Sequence, residues 1–224
     1  MPVQGTDVPH NRGGESNLQV LHERTRRFVV AITGASGSIL GLRLIRELSR
    51  HSEVHVVISP SALPIIKYET GIDLSGDMPG KLKEHCQSDK IFSYAESDLW
   101  APISSGSFIT DGMIVVPCSM KTLASIAAGF ADNVISRAAD VSIKEGRKLV
   151  LAPREMPFSP IHLENMLKLA RIGVVIAPPV PAFYPMPETI ANVVDFITGK
   201  LLDCLSVSHD LFKRWGYPTD APAL

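Results

Sequence analysis

Phe28-Val29-Val30-Ala31-Ile32-Thr33-Gly34-Ala35-Ser36-Gly37-Ser38-Ile39-Leu40-Gly41 reads as a short apolar strand that runs through a glycine-rich turn into a helix. Five apolar residues without polar alternation are what a strand buried on both faces requires. Four further runs of the same kind lie at 54–58, 113–116, 149–152 and 174–177. Between them the apolar residues switch to helical spacing. Leu44, Ile45 and Leu48 form one stripe, Leu123, Ile126 and Ala127 a second, and Ile135, Ala138, Ala139 and Ser142 a third. The best-bounded helix starts at Ser159, an N-cap residue, with Pro160 at its first position. Leu163, Met166, Leu167 and Ala170 share one face, and Gly173 lies just past the end. Strands alternating with helices predict βαβ units in a doubly wound parallel sheet with right-handed crossovers, in one domain.

Such sheets bind ligands outside the carboxyl ends of their strands. The residues that follow the strands are therefore the ones that matter: 33–37, 59–61, 117–122, 153–155 and the proline-rich loop 178–187. They are rich in Ser, Thr, Gly and basic groups, which suits a phosphorylated ligand. The turn at 33–41 lacks dinucleotide G-x-G-x-x-G spacing, and the second strand ends in Ser59 where a ribose-binding acid is expected. A mononucleotide fits better than NAD.

The sharpest local signal is Ala152-Pro153-Arg154-Glu155-Met156-Pro157-Phe158. Two prolines fix the backbone around an arginine and a glutamate at a strand end, and stiffness is what an anion-binding or catalytic pair needs. An inert surface ion pair in a rigid turn is the competing reading. Pro117-Cys118-Ser119-Met120-Lys121-Thr122 adds two hydroxyls and an ammonium at another strand end, while Cys118 reads as a small buried hydrophobe. Trp100 either packs or offers a π face to a cation or a flat ligand. Phe183 and Tyr184 stand in the last loop as a lid or a wall.

The 224 residues carry 22 basic and 23 acidic side chains, a net charge of −1, so there is no electrostatic case for nucleic acid or an anionic membrane. Three cysteines, widely spaced, suggest neither a disulfide framework nor a C-x-x-C metal pair, and a reducing compartment is expected. His162 and Glu164 stand two apart and cannot share a helical face, so no metal site is expected. No apolar run approaches about 18 residues, and a soluble, cytoplasmic protein is expected. Residues 1–27 read as a mobile tail with a basic finish at Arg24, Arg26 and Arg27. Those arginines favour a mitochondrial address, but Asp7, Glu15 and Glu23 oppose it. The remaining chain divides into a domain at 28–207 and a C-terminal extension at 208–224.

Taken together, TGASG at 33–37, SSGSF at 104–108, PCSMKTL at 117–123, RAADV at 137–141, PREMPFSPIHLENMLKL at 153–169 and PAFYPMPE at 181–188 resemble the flavin prenyltransferase family, the UbiX family, long described as phenylacrylic acid decarboxylases. The resemblance covers roughly residues 28–207. It implies a flavodoxin-like (Rossmann-like) fold, no metal, and transfer of a dimethylallyl group from dimethylallyl phosphate to N5 and C6 of reduced FMN. It also implies a dodecamer with sites between subunits, and a UbiD-type decarboxylase that receives the prenylated FMN. Carried over motif by motif, Gly34, Ala35, Ser36, Ser59, Ser119, Met120, Lys121, Thr122 and Arg137 hold FMN, with Ser36 near N5. Lys144, Arg154, Tyr184 and Lys200 bind the prenyl phosphate. Glu69 and Trp100 complete the pocket, and Glu155 stands beside the reacting centre. At position 200 many relatives carry arginine, and lysine replaces a bidentate fork by a point charge.

The chemistry this implies is positioning and charge stabilisation, with fixed cations facing the leaving phosphate and Trp100 facing the allylic cation. Either Glu155 or the departing phosphate takes the final proton. The competing readings are a direct FMN-dependent aromatic acid decarboxylase and a non-enzymatic FMN-binding regulatory subunit. Cysteine decarboxylases of the same superfamily fit less well, because no histidine lies between His55 and His85.

Overall fold

The structure, a computed structural model, describes residues 24–216. Six parallel strands, β1 (Arg27–Ile32), β2 (Glu53–Ile58), β3 (Ile91–Tyr94), β4 (Gly112–Cys118), β5 (Leu149–Pro153) and β6 (Val175–Ile176), form one sheet in the order β3-β2-β1-β4-β5-β6. Helix α1 (Ser38–Ser49) links β1 to β2, and α2 (Ala62–Thr70) and α3 (Met78–Cys86) link β2 to β3. Helices α4 (Met120–Ala128) and α5 (Val134–Lys144) lie between β4 and β5, α6 (Pro160–Arg171) between β5 and β6, and α7 (Ile190–Cys204) follows β6. The strand order reverses between β1 and β4. That switch point opens a crevice at the carboxyl ends, because the connections from these two neighbours leave in opposite directions.

Alternation along β1 shows why its run is unbroken. Phe28, Val30 and Ile32 pack with Leu44, Ile45 and Leu48 of α1 and with Phe196 of α7 in one core. Val29 and Ala31 join Met113, Val115, Leu123 and Ile135 in a second core on the other face. Both layers are needed, since each face of a parallel sheet must be covered.

The five expected strands are all present, each within a residue or two. Strand β3 was not foreseen. Its sequence, IFSY, is short and lies at the sheet edge, where Ile91 is buried and Phe92 is 43% exposed, so no continuous apolar run marks it. Helix α6 begins as expected at Ser159, whose hydroxyl accepts from His162 N–H at 3.2 Å. Its inward face is corrected, however. Met166 and Leu169 are buried, whereas Leu163 and Leu167 are 53% and 51% exposed. Apolar residues flank the helix on both sides, and spacing alone does not choose between two stripes about 100° apart.

The tail boundary also shifts. Arg27 is the first residue of β1, paired with Glu53, and its Nε donates to Glu53 Oε2 at 2.6 Å. Arg24 grips both oxygens of Asp111 at 3.0 Å, and Arg26 donates to the carbonyl of Ser206 at 3.1 Å. The basic finish therefore binds the domain; residues 1–23 lie outside the described residues. At the other end, Leu211 and Phe212 of the expected extension pack on the α1/α7 core. Among the described residues no helix is long and apolar enough to cross a membrane, and no three His, Cys, Asp or Glu side chains gather as for a metal ion.

Candidate active site

Thr33 ties the two strands of the switch point together. Its hydroxyl donates to the carbonyl of Pro117 at 2.8 Å and accepts from Ser119 N–H at 2.8 Å, with the side chain buried. This fixes the turn after β1 against the turn after β4. Ser119 then N-caps α4: its Oγ accepts from Thr122 N–H at 3.2 Å and lies 3.0 Å from Thr122 Oγ1. Ser59, at the end of β2, reaches Ser61 at 3.0 Å.

These turns surround a cleft of about 390 Å³. Of the expected flavin residues, Gly34, Ser59, Ser119, Lys121 and Thr122 line it. A Cβ on Gly34 would meet Ser61 Oγ at 2.5 Å, so glycine keeps this part of the cleft open. Hydroxyls with one ammonium are a donor set that fits a phosphorylated polyol such as FMN. Ser61 of the expected strand end 59–61 lines it as well, and sequence reasoning missed Glu96, Asp132 and Ser136. They lie on segments without a strand-end signature, and only the fold brings them here. Burial raises the pKa of Glu96 and Asp132 adds to the rise, while Lys121 opposes it.

The amino terminus of α1 is not open to a ligand as its glycine-rich sequence suggests. The Glu69 carboxylate, from α2, accepts from Gly37 N–H at 3.1 Å, from Ser38 N–H at 3.0 Å and from Ser38 Oγ at 2.7 Å. Gly37 has no side chain to cap the helix and the first turn has no acid, so a carboxylate from a neighbouring helix takes that place. Burial pushes the Glu69 pKa up, but hydrogen bonds from Ser36, Ser38 and the backbone together bring it below its ordinary value.

Arg154 and Glu155 do not pair with each other. Arg154 Nε donates to the Ser36 carbonyl at 3.4 Å, and its backbone N–H donates to Cys118. Glu155 accepts from Met156 N–H at 3.1 Å and is exposed. Arg154 and Ser36 thus meet where the chain leaves β5 and β1, beside the end of β4, and neither lines the cleft. Met120 opens α4 and packs against the second core, and Ala35 donates to Thr33 within the turn. Arg137 follows Ser136 but braces the 104–107 loop, donating to the Ser104 carbonyl at 3.1 Å and to Asp140 at 2.8 Å. Trp100 is 97% exposed. Cys118 is wholly buried and burial pushes its thiol up to about 12, which excludes a thiolate nucleophile.

The other residues expected to bind the donor, Lys144, Tyr184 and Lys200, do not line the cleft of this chain. Lys144 ends α5, paired with Glu145, at the amino end of the sheet. Tyr184 packs edge-on against Phe196 of α7, and Lys200, one turn further along α7, lies 3.5 Å from Asp203.

A parallel sheet with a hydroxyl-lined cleft at its switch point defines a mononucleotide-binding α/β protein, and the sequence pattern of the flavoprotein family matches residues 17–202. Within that family the chain belongs to the flavin prenyltransferases of the UbiX type. It is 45% identical over 190 residues to flavin prenyltransferase UbiX of Methanocaldococcus jannaschii, covering 85% of this chain and 98% of that one. The crystal structure of AnUbiX (PadA1) in complex with FMN and dimethylallyl pyrophosphate superposes with a TM-score of 0.79 at 48% identity, covering 86% of this chain and 98% of that one. The dodecameric FMN-dependent UbiX-like decarboxylase from Escherichia coli O157:H7 gives 0.78 at 48% identity, covering 84% and 98%.

Proposed function

We propose that this chain is a metal-independent flavin prenyltransferase that moves a dimethylallyl group from dimethylallyl phosphate to N5 and C6 of reduced FMN. The observation that carries this reading is the placement of Arg154 on the carbonyl of Ser36, two residues along the turn from the cleft-lining Gly34. An anion receptor thereby stands beside the flavin-binding turn. UbiX-type prenyltransferase relatives, and a relative's structure holding FMN with dimethylallyl pyrophosphate, support it.

When bound, reduced FMN supplies the nucleophilic nitrogen and ring carbon. Ser59, Ser119, Lys121 and Thr122 hold its polar end, and Gly34 admits it close to the backbone. Arg154 holds the leaving phosphate and stabilises the charge that develops on it, while Trp100 presents its face to the allylic cation. Glu155, next in the chain to Arg154, accepts the proton lost on ring closure. Glu69 holds the turn at Ser36 and Ser38 in place, so that Ser36 would be fixed toward the flavin.

Lys144 lies too far along α5 to serve the cleft of its own chain, so a neighbouring copy must bring it in. Met156, Phe183 and Trp100, 89%, 73% and 97% exposed, supply apolar surface for contacts between copies. A dodecamer, as in the Escherichia coli relative, accommodates this arrangement. Delivery of the product to a UbiD-type decarboxylase and a cytoplasmic location complete the proposal.

Anaerobic incubation with reduced FMN and dimethylallyl phosphate, in parallel with the diphosphate, tests the function. Mass spectrometry is expected to find flavin heavier by one C5 unit. Unchanged flavin with both donors, or decarboxylation of cinnamate-type acids without a partner, would overturn it.

A further inference from the structure

The lining of the flavin cleft carries more negative charge than positive. Glu96 and Asp132 bring two carboxylates and Lys121 one ammonium, while the turns after β1 and β2 and the start of α5 add only uncharged residues. Arg137, expected to help hold the ligand, turns its guanidinium to the Ser104 carbonyl and Asp140 instead. A phosphomonoester carries a charge of about −1.5 to −2 near neutral pH. The phosphate of FMN therefore enters a site that already holds an excess of carboxylate.

The two carboxylates are held differently. Asp132 has a donor of its own, the side-chain amide of Asn133 at 3.1 Å. Among the described residues no donor reaches the Glu96 carboxylate, and Lys121 and Asp132 act on it only through their charges. Its backbone carbonyl accepts from Val134 N–H at 2.9 Å, which pins the residue to the amino end of α5. Asn133 Oδ1 accepts from Ser136 N–H at 3.0 Å, so two amides of that helix's first turn are already taken. The amino end of α4, whose Ser119, Lys121 and Thr122 line the cleft, is left for the anion. Burial raises the pKa of Glu96, Lys121 opposes this and Asp132 adds to it. A phosphate at α4 acts on Glu96 in the same direction as Asp132, because both are negative.

We propose that Glu96 sets the cleft's preference between phosphorylated and unphosphorylated flavin, by taking up one proton from solvent as the phosphate enters. The carboxylate becomes a carboxylic acid, and the remaining charges of Asp132 and Lys121 then offset each other. The inference rests on the flavin reading of the cleft and not on the fate of the prenyl group. Glu96 titrates at a lower pH in the free protein than in the complex with FMN. The preference for phosphate is thus full below the first of these and is lost as pH rises through the second. Glu96 touches no reacting atom in this scheme and decides only which flavin is held.

The full-length protein and its Glu96→Gln, Glu96→Ala and Asp132→Asn variants provide the test, with FMN and riboflavin titrated by fluorescence quenching between pH 5.5 and pH 8. In wild type the ratio of FMN to riboflavin affinity is expected to fall about tenfold over that range relative to Glu96→Gln. Glu96→Ala should behave as Glu96→Gln, and Asp132→Asn should keep the wild-type slope. Calorimetry at pH 6.5 in two buffers of different ionisation heat is expected to show wild type taking up about half a proton more than Glu96→Gln on binding FMN, and no more on binding riboflavin. Equal pH dependence in wild type and both Glu96 variants overturns the proposal. Loss of the slope in Asp132→Asn overturns the assignment of the proton to Glu96, and equal proton uptake with riboflavin overturns its link to the phosphate. A protein that binds FMN but makes no prenylated flavin overturns the proposed reaction instead, and the same affinities then still decide the role of Glu96.

Discussion

The Glu69 carboxylate and Ser38 close the amino end of α1 together: Glu69 Oε2 accepts from the Ser38 N–H at 3.0 Å and from its hydroxyl at 2.7 Å. The strongest anion-binding point that the glycine-rich turn offers is thus filled by the protein itself. The ligand's anionic end is left to the hydroxyls and Lys121 at the β4 turn. Glu69→Gln keeps the shape and removes the charge at the helix terminus, an interaction worth about 0.5–1 kcal/mol. Its melting temperature is expected to fall by roughly 1–4 °C, with FMN affinity within about threefold of wild type. A tenfold loss of FMN affinity would place the flavin's anionic group at α1 after all.

Gly34 makes the cleft possible by lacking a side chain. In Gly34→Ala the new methyl meets Ser61 Oγ, so flavin affinity measured by fluorescence quenching is expected to fall at least about tenfold, or roughly 1.4 kcal/mol. Adding Ser61→Ala relieves the contact and is expected to restore most of the affinity.

Arg154 and Glu155 are neighbours that do different things. A double-mutant cycle on Arg154→Gln and Glu155→Gln is expected to give a stability coupling below about 0.5 kcal/mol, as for side chains without a shared contact. Kinetically they should separate: Arg154→Gln raises the donor KM about tenfold, and Glu155→Gln lowers kcat at unchanged FMN affinity. Matching kinetic effects of the two variants would contradict the division.

His55 gives the fold an acid limit. It is buried between Phe92 and Tyr94, with Nδ1 2.9 Å from the Tyr94 hydroxyl, and Nε2 makes no hydrogen bond. Burial pulls its pKa down to about 4; Glu53 opposes this and Arg27 reinforces it. The unfolded chain, with an ordinary value near 6.5, then binds a proton that the folded chain refuses. Stability is therefore full above about pH 6.5 and is lost as pH falls toward 4, by on the order of 3 kcal/mol. Urea midpoints at pH 7 and pH 5 measure this. His55→Phe is expected to flatten that part of the profile, and an unchanged slope would assign the acid limit to other groups.

Much of this architecture is legible in the chain itself. Continuous apolar runs such as 28–32 and 113–116 mean strands buried on both faces, and a local cap such as Ser159 marks where a helix begins. Those signals depend on neighbours a few residues apart, and the structure reproduces them. The motif at 117–122 likewise carries its cleft position with it, because a strand end in a parallel sheet is a binding edge. Strand β3 was missed because an edge strand needs no continuous apolar run, and the buried stripe of α6 was misjudged because both flanks of that helix are apolar.

Contacts between distant segments were decided only in three dimensions. Sequence spacing gives no sign that Glu69 reaches back 31 residues to Ser38, that Arg154 finds Ser36 across 118, or that Trp215 meets Tyr184. Nor does it place Lys144 at the far end of α5 from the cleft. The sequence by itself determined the layers, the strand ends and the chemical character of the site, since these follow from local periodicity and composition. Tertiary structure alone decided which charge faces which partner, because that depends on how the strands order themselves in the sheet and on which helix ends the order brings together.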